Sequence, residues 1–118
     1  MKVHEIDPSG PVIVDGQGAV DIIGETYGVD ADVLVIPVER VAPDFFQLST
    51  GVAGEVLQKF VTYGRRVAIV GDIEAHLAAS SALRDFVRES NAGRHVWFVP
   101  DRATLEARLA ATVDTPSP

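Results

Sequence analysis

The chain reads as a single α/β domain: a mainly parallel β-sheet with βαβ crossovers, its N-terminal strand running antiparallel to the rest. Three observations carry that expectation. Apolar runs at residues 33–36, 67–70 and 96–99 show no polar alternation, as strands buried on both faces should. Segments with apolar residues at helical spacing separate them. The connections are short, and strands joined through helices imply parallel neighbours with right-handed crossovers. A length of 118 residues suits one domain. We place it at residues 1–112, with the proline-broken polar end, 113–118, as a flexible tail.

Taken in order, residues 2–6 form a weak strand closed by the turn signal Asp7-Pro8-Ser9-Gly10. Residues 12–14 form a second, and two short runs across one turn suggest an antiparallel hairpin. Ala19, Ile22, Ile23 and Thr26 recur at helical spacing, with Gly28 placed to stop that helix. After the strand at 33–36, Pro43 opens a short apolar turn, because its missing N–H has no partner at a first helical position anyway. A longer helix from about Gly51 to Tyr63 carries a stripe of Ala53, Val56, Leu57, Phe60 and Val61. Glu55 and Lys59 are expected to pair on its wet side, and Gly64 to end it. Leu83, Phe86 and Val87 mark a further helix, stopped at residues 91–93. Asp101 is placed to cap a closing helix that bears Leu105 and Leu109. Because Val33, Val35, Trp97 and Val99 double the apolar face of their strands, the sheet's second face needs cover. The hairpin, the Pro43 turn or a second subunit could supply it, and from this a homodimer is expected.

Composition narrows the function classes. Ten basic against seventeen acidic side chains leave a formal charge of −7, which repels phosphate backbones and anionic lipid. Nucleic acid and membrane are therefore not expected partners. Without cysteine there are no disulfides, thiol catalysis or Cys-based zinc sites. The start lacks the apolar core of a signal peptide and no run reaches membrane-spanning length, so a cytoplasmic protein is expected. No cofactor and no metal is implied. Asp15-Gly16-Gln17-Gly18 follows a strand, but Asp21 occupies the third glycine position of a dinucleotide fingerprint. There is no Walker loop or nucleophile elbow, and His4, His76 and His95 have no local ligand spacing.

The candidate site is the helix entrance formed by Ser49, Thr50, Gly51 and Gly54. A glycine inside a helix costs about 1 kcal/mol relative to alanine, so Gly54 asks for a reason. One reason is close packing of that turn on a strand or on the Pro43 turn. The other is an open N-terminus, whose free N–H groups and dipole attract a small anion, a partner's carboxylate, or a phosphate on Thr50 or Ser49. A second cluster, Asp15, Glu39, Asp72 and Asp101, falls at the carboxyl ends of strands, where α/β ligands bind. Those acids can ligate a cation through oxygen or simply start turns and cap helices. Glu39 is expected in a loop facing the Thr50 entrance, and Arg40 beside it to pair with a carboxylate. Asp72, Arg84, Glu89 and Asn91 are a possible secondary polar surface, although Arg84 and Glu89 also suit a solvated helix face. Asn91 can equally take a left-handed conformation at the helix end.

The strings PDFFQLSTGVAGEVLQKF, RVAIVGD and LRDFVRESNAG resemble the bacterial family called domain of unknown function 4180, from about residue 12 to residue 109. That resemblance implies no established activity. More distantly, the element order and the hydroxyl-Gly-x-x-Gly helix start resemble STAS domains, the anti-sigma-factor antagonist fold. There, a hydroxyl residue just before the glycine can be phosphorylated by a partner kinase. By that resemblance Thr50 takes the hydroxyl position, with Ser49 before it and Gly51 after; Leu48 stands where the family has an acid, and the Pro43 turn is inserted. Three functions follow: a non-enzymatic regulatory or binding module working through Thr50-Gly51, a small-molecule enzyme using Glu39 and neighbouring carboxylates, or a structural subunit of an oligomer.

Overall fold

The computed structural model describes residues 2–114, with side chains through residue 111. Four strands, β1 (Val3–Glu5), β2 (Val33–Pro37), β3 (Arg66–Val70) and β4 (Val96–Val99), stand side by side in chain order, each pair of neighbours parallel. Helix α1 (Gly16–Glu25) links β1 to β2 and α2 (Val52–Thr62) links β2 to β3. Helices α3 (Glu74–Ala79) and α4 (Ser81–Ala92) link β3 to β4, and α5 (Arg102–Asp114) follows. Because every crossover steps one place in the same direction, right-handed connections put all the crossover helices on one face.

Alternate strand residues confirm the layering. Leu34, Ile36, Val67, Ile69, Val96 and Phe98 join the buried residues of α1, α2 and α4 in the main core. Val33, Val35, Ala68, Trp97 and Val99 face the other way, onto Leu105 and Leu109 of α5. The cover for the second face is therefore α5, from within the chain. An ion pair of Arg102 with Glu5 at 3.1 Å ties α5 to β1, and the Arg108 guanidinium lies 3.9 Å from the centre of the Trp97 ring. Helix α5 runs on to Asp114, and residues 115–118 of the expected tail lie outside the described residues.

The N-terminus departs from expectation. Strand β1 pairs parallel with β2, with Val3 opposite Val33 and Glu5 opposite Val35, so the antiparallel N-terminal strand is corrected. The physical reason is that α1 is itself the crossover between them. Residues 12–14 make no hairpin with β1; Ile13 forms a single parallel bridge to Val41. Arg40 holds the intervening loop. Its side chain is buried, donating from Nε to the Pro11 carbonyl and from Nη1 to the Asp7 carbonyl, both at 2.6 Å. It binds main-chain oxygens rather than the carboxylate partner expected of it. A Cβ on Gly10 would lie 2.5 Å from Nη1, so the loop needs glycine there for the guanidinium to pack against it.

Helix α1 is capped from two directions. The Asp15 carboxylate accepts from the Gly18 N–H at 3.2 Å, and Glu55 of α2 accepts from the Gly16 N–H at 3.0 Å. Glu55 thus works between helices instead of pairing with Lys59 in water, and a Cβ at residue 16 would strike its Cγ at 2.9 Å. The glycines that mimic a nucleotide loop are explained by this contact and by Ile13 against Gly18. Two carboxylates fill the helix entrance where a phosphate would sit.

Candidate functional site

Between β2 and α2 the chain makes three 3-10 turns, Val38–Arg40, Pro43–Phe46 and Leu48–Thr50. Phe45 and Phe46 anchor the second turn in the core, edge to face at 5.1 Å. Thr50 fastens the third. Its hydroxyl lies 2.8 Å from the carbonyl oxygens of both Asp44 and Gln47, so one proton is shared between two acceptors. The same oxygen accepts from the Val52 N–H at 3.3 Å, which occupies the first amide of α2. Gly51 then turns the chain into the helix with φ +78°, a left-handed conformation that favours glycine.

The remaining amides of the entrance divide unevenly. The Glu55 N–H donates to the Gly51 carbonyl at 3.1 Å, whereas the amides of Ala53 and Gly54 have no hydrogen-bond partner among the described residues. Gly51 and Gly54 are exposed, and a Cβ built on either meets nothing within 4 Å. The packing explanation for Gly54 is thereby corrected: the buried side of that turn is Ala53, and no described atom lies where a Cβ of residue 54 would stand. Ser49 is exposed with no hydrogen bond described, and it lines a cleft of about 480 Å³ with His76, Gln47 and Ser80. His76 in turn stacks on Phe46 at 4.6 Å.

Glu39 is exposed on the first 3-10 turn and makes no hydrogen bond or ion pair among the described residues. The other rim acids hold local main chain: Asp15 and Asp101 at helix starts, Asp72 in a turn before α3. Asp72 accepts from the Glu74 N–H at 2.9 Å, and Asp101 from the Thr104 N–H at 2.7 Å. The Thr104 bonds hold the Asp101 carboxyl below its ordinary range. Among the described residues, no group of three or more His, Asp or Glu side chains is placed to hold a metal ion.

Of the secondary polar surface, Asp72 and Asn91 meet at a cavity of about 180 Å³ at the carboxyl ends of β3 and β4, lined mainly by Ile73, Leu77, Val87 and Phe98. Arg84 turns away and donates to the Leu77 carbonyl at 2.6 Å, while Glu89 is exposed. Asn91 is helical, not left-handed, and its amide has a structural task. Its Oδ1 accepts from the Phe98 N–H at 2.7 Å and its Nδ2 donates to the Phe98 carbonyl at 3.2 Å. A side-chain amide thus substitutes for a neighbouring strand along the free edge of β4, a protection against edge pairing that sequence spacing cannot reveal.

The fold and this entrance define a three-layer α/β domain. Residues 1–109 match the family described as Domain of unknown function (DUF4180), and the chain belongs to that family. Neither the comparison with curated proteins nor that with solved structures finds a match, so the STAS likeness rests on element order and the Thr50-Gly51 motif alone. Among the described residues, no helix is long and apolar enough to cross a membrane.

Proposed function

We propose that the protein is a non-enzymatic regulatory or binding module of the cytoplasm, working through the α2 entrance. The observation that carries this reading is Gly54. Its bare backbone costs the helix about 1 kcal/mol, and no contact among the described residues requires it. An outside group that must approach the first turn closely would account for it. The amide of Gly54, on the exposed side of the first turn, suits an anionic group at the positive end of the helix, while Ala53 beside it is buried in the core. The partner is a protein, a second copy of this chain included, that presents a carboxylate or phosphate there.

Phosphorylation acts differently at the two hydroxyls. On Thr50 it would remove the proton shared by the Asp44 and Gln47 carbonyls and set negative oxygens beside them, releasing the turn. On Ser49, which is exposed, it would add charge with less disruption. The reading is tested by titrating the isotope-labelled chain with inorganic phosphate and following backbone amides by NMR. The Gly54 resonance should move saturably, and Gly54→Leu should remove the response while cooperative unfolding is retained. A Gly54 amide that moves no more than the rest of the chain would defeat the proposal.

A further inference from the structure

A groove of about 570 Å³ runs between the extended residues 11–15 and α1, with Val12, Val14, Asp21, Gly24, Glu25 and Arg40 among its walls. One wall is an unpaired strand edge. Ile13 spends both main-chain groups on the Val41 segment, donating to the Arg40 carbonyl at 2.6 Å and accepting from the Ala42 N–H at 3.1 Å. In extended chain successive residues point their N–H and C=O to opposite edges. The main-chain groups of Val12 and Val14 accordingly face away, and none has a partner among the described residues. Both side chains are exposed, at 49% and 57%.

The opposite wall carries charge and a gap. Asp21 and Glu25 lie one turn apart on α1, and no ion pair is described for either. Gly24 sits inside the helix beside them, where a Cβ would meet nothing within 4 Å. Its absent side chain widens the groove and supports no contact among the described residues. Between the walls lies Arg40, 5% exposed. Its Nε and Nη1 are committed to carbonyls, while Nη2 has no described acceptor. Asp7, which feels the Arg40 charge, turns its carboxylate to the N–H and hydroxyl of Ser9.

We propose that an extended, lysine- or arginine-bearing segment of a partner protein docks in this groove as an added strand. Its main chain pairs with Val12 and Val14, and a carbonyl or terminal carboxylate accepts from Arg40 Nη2. Its basic side chains face Asp21 and Glu25, and its apolar ones cover Val12 and Val14. Strand addition draws affinity from the main chain and specificity from alternate side chains. At this groove Asp21 and Glu25 favour a cationic segment over an acidic one.

The probe is a short peptide of alternating lysine and valine, titrated at low salt into the isotope-labelled full chain. The expected result is saturable movement of the Val12, Val14 and Gly24 amides and of the Arg40 Nε–H. Binding should weaken roughly five- to tenfold in an Asp21→Asn, Glu25→Gln double variant, since two exposed charge contacts are lost. Gly24→Leu should weaken it too, and all three substituted side chains are clear of the core, so the variants should fold as the parent does. An alternating glutamate and valine peptide should not bind. The inference is overturned if the groove amides do not move, if both peptides bind equally, or if free lysine gives the same response at the same concentration. The phosphate response at α2 reads a different set of amides, so either result can fail alone.

Discussion

Replacing Gly54 by alanine should make the chain more stable. The residue is the third of α2, and the Gly-to-Ala difference in helix propensity contributes about 0.5–1 kcal/mol there. Nothing opposes it, since the added Cβ has no neighbour within 4 Å. An unfolding entropy of about 2.1 cal/mol/K per residue gives roughly 0.25 kcal/mol/K for 118 residues. The thermal midpoint should therefore rise by about 2–4 °C. Gly51→Ala, three residues earlier, should do the opposite. At φ +78° a side chain costs about 1–2 kcal/mol, so the midpoint should fall by about 4–8 °C. Thermal melts followed by far-ultraviolet circular dichroism, with urea titrations as a check, measure both. A lower midpoint for Gly54→Ala would show that the fold itself needs the bare backbone, and the case for an outside contact at the α2 entrance would end there.

Asn91→Ala should strip the Phe98 main chain of its partner and cost about 1–3 kcal/mol in urea unfolding. The same variant should associate through the opened edge of β4, which light scattering would detect; an unchanged urea midpoint would mean that water replaces the amide without loss. Asp101 makes a pH-dependent contribution. Its folded pKa lies below the ordinary 3.8, so its stabilisation is present above that value and is lost as pH falls through the folded pKa. Asp7, held down by its bonds to Ser9, has the same sign. Urea midpoints followed from neutral pH to about pH 2 should fall less steeply for Asp101→Asn than for the parent. Parallel curves for the two proteins would show that the cap contributes nothing that titrates.

The capping aspartates were legible because a cap is local: Asp15 and Asp101 bond amides three residues away, inside the window that a sequence pattern covers. The buried strands were legible for a similar reason, since apolar residues at every position of 33–36 and 96–99 leave no wet face. Helix α3 was missed: at six residues, with no buried residue, it has no apolar stripe to read. The direction of β1 was misread because a three-residue strand carries no mark of its partner. Only the distant pairing of Val3 with Val33 decides it.

The candidate site divides in the same way. The short distance from Thr50 to Gly54 made the α2 entrance visible as an oddity of composition. Whether those glycines are hidden or bare depends on atoms far along the chain, and the fold leaves them bare. Glu55 and Arg40 show the limit most clearly. Each was read by its sequence neighbours, as a partner for Lys59 and as a partner for a carboxylate. In the folded chain Glu55 caps a helix that begins 39 residues earlier. Arg40 binds carbonyls 29 and 33 residues away.

By itself the sequence determined the α/β class, the two-sided burial of the central strands and the local caps. These follow from periodicity and from bonds a few residues long. Tertiary structure alone decided that β1 runs parallel, that α5 covers the second face, and that Arg40, Glu55 and Asn91 serve main-chain groups elsewhere in the fold. A charged or amide side chain bonds to whatever main-chain group the fold leaves unpaired within its reach, and that group is set by topology, not by neighbouring letters.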